Sequence, residues 1–367
     1  MKILLSGAVA ALVCGLSCLA GDPVVSNVRA SQRGGGSKIV DIYYDVSDSD
    51  GDRLAVSVSV SNNGSPVPAT TLTGAVGGNI APGSGKRIEW NAGADWDGQF
   101  SESVRVSVTA DDGRTPPVPS GMVRIPGGTN SGTDPDYGAY SLTVETFYMD
   151  ATEVTKAKWD EVRTWAVSNG YSFDNAGSGK ASNHPVQTVN WYDCVKWCNA
   201  RSQKEGKTPC YTVSGSVYKT GRSAPVCNFS ANGYRLPTNT EWEYAARGGL
   251  SNMRFPWGDI IDHTRANYYG YPSSYTYDQG YQGYDTRYAT GGYPYTSPAG
   301  AFSANGYGLY DMAGNVWEWC NDTSGSYRGV RGGSWFDDGA YFLRCGGSGW
   351  DYPDFADSSL GFRAVCR

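Results

Sequence analysis

The side chains able to supply thiolate or imidazole ligands are nine cysteines and two histidines in 367 residues, and their spacing limits the chemistry at once. His184 and His263 are the only histidines. No serine or cysteine has an obvious histidine and acid arranged around it as a nucleophile triad. Cys194 and Cys198 have the i,i+4 spacing of one helix face, but a mononuclear zinc site needs more ligands than the chain offers beside them. If Cys14 and Cys18 are lost with a leader, Cys194, Cys198, Cys210, Cys227, Cys320, Cys345 and Cys366 remain. Seven thiols in an oxidising compartment predict three disulfides and one leftover thiol, and Cys210 with Cys227 could close a hairpin whose strands include Tyr211–Val213 and Ser216–Tyr218. Asp48-Ser49-Asp50-Gly51-Asp52 has the oxygen density of a calcium loop, yet no later ligand completes that pattern, so a solvated hairpin turn is expected. No phosphate-cradling glycine loop is present.

A second kind of chemistry lies near the C-terminus. From Trp335 to Ser359, aromatics interleave with Asp, Ser and Gly without strand or helix period. Rigid aromatics give contact area at low entropy cost while short polar residues adapt to varied partners. Phe336, Asp337, Asp338, Tyr341, Trp350, Asp351, Tyr352 and Phe355 are therefore expected to form a ligand-binding surface, and Trp335 and Phe362 to belong to the core.

These residues need elements to hold them. The chain is 40% hydrophobic and 13% aromatic but only 18% charged, with 49 glycines and 18 prolines, which predicts a turn-rich fold with few long helices. A net charge of -6 without a basic run excludes nucleic acid as a partner. Residues 1–20, MKILLSGAVAALVCGLSCLA, read as a signal peptide cut after Ala20, with lipidation of Cys18 as the alternative and the sole route to a membrane. The expected location is secreted, periplasmic or cell-surface. Residues 21–112 alternate apolar and polar side chains in four clear runs and predict an all-β sandwich of the immunoglobulin or fibronectin type. A Pro-rich linker over 113–120 follows. Beyond it, helices are expected over Thr155–Ser168, about Tyr192–Lys204 and Glu241–Arg247. Thr238 and Glu241 form a capping box for the last, and Gly248-Gly249 ends it.

Seven stretches carry a resemblance: GMVRIPGG at Gly121, FYMDATEVTKAKW at Phe147, HPVQTVNWYDCVKWCN at His184, NGYRLPTNTEWEYAARGG at Asn232, NGYGLYDMAGNVWEW at Asn305, RGGSW at Arg331 and GFR at Gly361. In this order, over 121–367, the sequence resembles the formylglycine-generating enzyme, or sulfatase-modifying-factor, family. The resemblance implies an α+β FGE-sulfatase domain related to the C-type lectin fold, with little regular secondary structure. Such enzymes oxidise a sulfatase cysteine with oxygen and Cu(I) held by two thiolates, the soft ligands that ion prefers. Those positions fall on Asp337 and Phe342 here, and a one-residue shift of the second to Leu343 supplies no ligand either, so copper is not expected. Cys345 matches a family disulfide cysteine whose partner position is Ala246, leaving Cys320 as its expected partner. Cys198 is expected to pair with Cys366 and Cys194 to remain a buried thiol. His184 matches a position read as structural.

The resemblance also implies calcium, held by the side chains of Asp311 and Glu318 and the carbonyls of Gly314 and Val316, a hard donor set suited to that ion. A second family site would map to Asn267, Tyr268, Gly291 and Tyr293, with glycine at its aspartate position. Trp335 to Arg363 further resembles the variable regions of retroelement-diversified proteins, in which a GGSW and GFR frame carries the ligand-binding positions. The resulting expectation is a secreted, non-catalytic protein that binds an unidentified protein or glycan. The alternatives are a formylglycine-generating or related oxidase and a structural surface component.

Overall fold

The computed structural model describes residues 23–48, 51–62, 65–99, 101, 104–113, 118–337 and 339–367. The expected leader, residues 114–117 of the 113–120 linker and Asp338 lie outside the described residues. The chain divides into two compact units, Met1–Pro117 and Val118–Arg367.

In the first unit, β1 (Val24–Gln32), β2 (Ile39–Ser47), β7 (Gly83–Asn91) and β5 (Leu72–Gly74) form one antiparallel sheet in the order β1-β2-β7-β5. In the second sheet, β3 (Leu54–Asn62) pairs with β4 (Ser65–Val67), β6 (Gly77–Ile80) and β8 (Val104–Asp111), also antiparallel. Period-two alternation is the cause. In β2, Val40, Ile42, Tyr44 and Val46 point inward and are buried, while Asp41, Tyr43 and Asp45 point to the other face. Leu54, Val56 and Val60 of β3, Ile88 and Trp90 of β7, and Val104 and Val108 of β8 complete one core shared by both sheets. The short helix α1 (Ala92–Asp95) follows β7 and is capped by the Asn91 side chain, which accepts from the Ala94 amide.

The second unit has little regular structure. Strands β9 (Met122–Ile125), β10 (Gly128–Asp134), β11 (Gly138–Val144) and β12 (Phe147–Asp150) open it, and β12 is central in a sheet between β9 and the C-terminal strand Val365–Cys366. Three helices follow: α2 (Lys156–Ser168), α3 (Trp191–Lys204) and α4 (Asn239–Arg247), with N-caps Thr155, Asn190 and Thr238. Trp159 of α2 and Trp197 of α3 stack at 6.1 Å between centroids, and Phe362 packs edge-on against both at 6.0 and 5.3 Å. Removing the Phe362 ring would cost about 3–5 kcal/mol. This is how the GFR stretch fastens the C-terminus to the helices.

A four-stranded sheet runs Gly349–Asp351, Tyr327–Arg331, Trp317–Ser324, Leu360–Gly361, with only the last pair parallel. It carries the WEW stretch and Val330-Arg331, which lead into the GGSW turn, on adjacent strands. No helix among the described residues is long and apolar enough to cross a membrane.

Candidate functional site

The loops around RGGSW and GNVWEW are tied backbone to backbone. The Gly314 amide donates to Gly332 O, Asn315 N to Asn267 O, and Trp335 N to Asn315 O, at 2.8 to 2.9 Å. Gly314 has φ +84°, and a Cβ there would stand 2.4 Å from Asn267 O, so the turn requires glycine. Arg331 then donates to the Cys345 and Gly347 carbonyls and to Asn239 Oδ1 of α4. The helix and the C-terminal wall are thereby held in register.

Within this frame stand the two positions that the resemblance gives to copper thiolates. Asp337 Oδ2 accepts from the Ser334 amide at 2.8 Å and the Ser334 hydroxyl at 2.6 Å. Phe342 sits on a short 3-10 turn, Ala340–Leu343, with its ring 6.0 Å from Trp317 and 4.3 Å from Tyr341. One position braces a loop and the other packs. Neither offers a soft ligand.

All seven cysteines of the described residues are unpaired thiols. The three expected bridges, Cys198–Cys366, Cys210–Cys227 and Cys320–Cys345, are not shown. Three of those sulfurs face other acceptors: Cys366 Sγ lies 3.7 Å from Met122 Sδ, Cys320 Sγ 3.9 Å from Glu318 O and Cys210 Sγ 3.9 Å from Ala231 O. Cys227 lies on a third strand, paired with Tyr211, beyond the two-stranded hairpin expected. Burial pushes the Cys345 thiol up to about 12 and Cys320 well above its ordinary value. At neutral pH neither is a thiolate.

The expected calcium set is only partly open. Glu318 is buried, with Oε1 accepting from Arg363 Nε and Nη2 at 2.9 and 2.7 Å and Oε2 from Arg363 Nε and Trp242 Nε1 at 2.8 and 2.7 Å. Its charge is met by the buried Arg363 guanidinium. Asp311 differs: Oδ2 accepts from the Gly300 amide, while Oδ1 is buried without a hydrogen-bond partner. Glu153 Oε2 is likewise unpartnered, and Glu153 Oε1 accepts from Asn315 Nδ2. Burial raises Asp311 to about 6, and burial followed by Asp311 itself raises Glu153 well above the usual carboxylate range. Asp311 and Glu153 thus form a buried carboxyl pair beside the turn, whereas both oxygens of Glu318 are engaged. Gly314 stands on the tight turn and Val316 is buried. No group of three or more His, Cys, Asp or Glu among the described residues is arranged to hold a metal.

The two histidines serve packing. His184 Nδ1 lies 3.0 Å from Thr296 Oγ1, and burial lowers its pKa. His263 is stacked between Tyr268 and Tyr281 at 4.7 and 3.9 Å.

Phe336, Tyr341, Trp350, Tyr352 and Phe355 all reach solvent, at 39 to 55% exposure, whereas Trp335 and Phe362 are buried. Asp351 is half-buried, and burial raises its carboxyl. Phe336 packs edge-on to Trp335 at 5.4 Å, and Tyr341 stacks on Tyr275 at 6.4 Å. Tyr284, Tyr293 and Tyr295 surround Trp335 at 5.3 to 5.8 Å. The sequence reading missed this second contributor. Its signal was available, since ten tyrosines lie between Tyr268 and Tyr295.

Comparison with known proteins gives the same frame. The model of the sulfatase-modifying factor enzyme 1-like domain matches residues 109–367. Mouse formylglycine-generating enzyme is 32% identical over 289 residues, covering 68% of this chain and 74% of that protein. The mouse protein named inactive C-alpha-formylglycine-generating enzyme 2 is also 32% identical, over 66% of this chain and 85% of its own. Among solved structures, Treponema denticola variable protein 1 superposes with a TM-score of 0.51 at 26% identity, covering 67% of this chain and 94% of that one. With motif order, fold and these matches in agreement, the chain belongs to the sulfatase-modifying factor (FGE-sulfatase) family.

Proposed function

We propose that this family member is a secreted, non-catalytic ligand-binding or display protein. The observation that carries the reading is the pair Asp337 and Phe342, one bracing a loop and the other packed among aromatics where the catalytic relatives are expected to hold copper. Phe336, Tyr341, Trp350, Tyr352 and Phe355 supply the exposed contact face. A relative named as inactive gives the reading a precedent. The first unit, read as an immunoglobulin- or fibronectin-like sandwich, serves as a spacer. The ligand is a protein or glycan, and a structural calcium belongs at Asp311, supported by the two orphaned carboxylate oxygens.

The deciding experiment is Cu(I) titration together with an oxidase assay on a sulfatase-derived cysteine peptide. Neither stoichiometric Cu(I) nor turnover is expected. Finding both would replace the binding reading with a formylglycine-generating oxidase that uses ligands other than Asp337 and Phe342.

A further inference from the structure

Beside the hairpin formed by Trp317–Ser324 and Tyr327–Arg331 lies a cavity of about 400 Å³, whose lining includes Tyr192, Arg222, Thr323, Ser326, Arg328 and Tyr352. Its size suits a small ligand. Arg328 is the unusual member. Its guanidinium lies 3.8 Å over the Trp191 ring, and Nη1 donates to Asn321 O at 3.2 Å. No carboxylate of the described residues stands within ion-pair distance, although Asp351 is its cross-strand neighbour in the ladder. The guanidinium groups of the buried Arg201, Arg235, Arg247 and Arg363 are each raised by a carboxylate partner despite burial, whereas burial lowers Arg328. A half-buried guanidinium that meets only a π face and one carbonyl has donors left for an anion.

The rest of the lining narrows the anion. Tyr352 packs against Tyr327 at 4.6 Å, and their hydroxyls are 3.0 Å apart. Tyr192 also lines the cavity, edge-on to Trp191 at 5.6 Å. Thr323 and Ser326 place hydroxyls at the exposed rim. Arg222 also lines the cavity, but its charge is met by Asp174 at 3.0 Å and by Asp354, itself in the lining, at 3.4 Å, which leaves Arg328 as the anion's partner. A planar fork pairs with a carboxylate through two parallel bonds. Aromatic faces suit the C–H face of a sugar ring, and the rim hydroxyls suit its hydroxyls.

We propose that this cavity binds a carboxylate-bearing sugar of the uronic acid class, with Arg328 pairing the carboxylate and Tyr192 and Tyr352 flanking the ring. The site shares only Tyr352 with the aromatic face and is independent of the copper positions, so either reading can fail without the other.

The test is titration of the full chain with glucuronic acid, glucose and acetate, read by calorimetry and by tryptophan fluorescence, since Trp191 lies beneath Arg328. Glucuronate is expected to bind saturably, with glucose and acetate each weaker by about tenfold or more. Arg328→Gln should lose about tenfold or more in glucuronate affinity. Ser326→Glu, on the exposed turn, should weaken it similarly while circular dichroism stays unchanged, which separates lost binding from lost folding. No saturable glucuronate binding, equal binding of glucose or acetate, or undiminished binding by both variants would each overturn the assignment.

Discussion

Glu318 and Asp311 lie seven positions apart on one motif, yet their surroundings give them opposite tasks. Glu318 is closed by Arg363 and Trp242, so Glu318→Gln leaves a buried guanidinium unpaired. The expected loss is about 3–5 kcal/mol in denaturant unfolding. A Glu318→Leu, Arg363→Met double variant should lose less than the sum of its two single changes, because each single change strands one charge. Additive losses would show that the pair is not coupled. Asp311 instead keeps an open oxygen. Calcium is therefore expected to raise the melting temperature of the second unit, chelator to reverse this, and Asp311→Asn to abolish the shift. A calcium shift that survives Asp311→Asn would place the ion elsewhere.

Among the elements, α1 shows how one carboxylate can hold three segments. Asp95 at its end accepts from the amides and hydroxyls of Thr70 and Thr71 and from Trp90 Nε1 of β7. Burial alone would raise this carboxyl, but the five donors outweigh it and hold it below the ordinary range. A depressed folded pKa gives stability that is present above the unfolded value of about 4 and is lost as pH falls below it. Asp95→Ala should cost about 1–3 kcal/mol at neutral pH, leaving donors unmet. It should also flatten the acid limb of the first unit's pH–stability curve, and an unchanged acid limb would refute this account.

Helix α4 was legible in the sequence because its signals are local. Thr238 and Glu241 cap each other, and Gly248 closes the helix at φ +57°. The three short strands β4 to β6 were not, since SPV, LTG and GGNI carry no period and pair only through β3 and β7. The exposed aromatics of the C-terminal segment could be picked out by composition. Tyr275, which stacks on the exposed Tyr341, and Tyr284 and Tyr293, which pack on the buried Trp335, lie some forty residues or more earlier in the chain and meet this segment only in the fold. Arg328 gave no local signal either, because the lack of a carboxylate partner is a property of the tertiary structure.

For the whole molecule, the consequence of two units is thermodynamic. The core of Val40, Ile42, Leu54, Val56, Ile88 and Trp90 is drawn entirely from the first unit, and that of Trp159, Trp197, Phe362 and their neighbours entirely from the second. Cooperativity follows a shared core, so unfolding need not be two-state across units. Calorimetry of the full chain is expected to show two transitions. Asp95→Ala should lower one and leave the other in place, while Glu318→Gln should lower only the second. Calcium should move the transition that Glu318→Gln moves, because Asp311 and Glu318 belong to the same unit. A single transition shifted by both substitutions would mean that the separate cores unfold as one cooperative body.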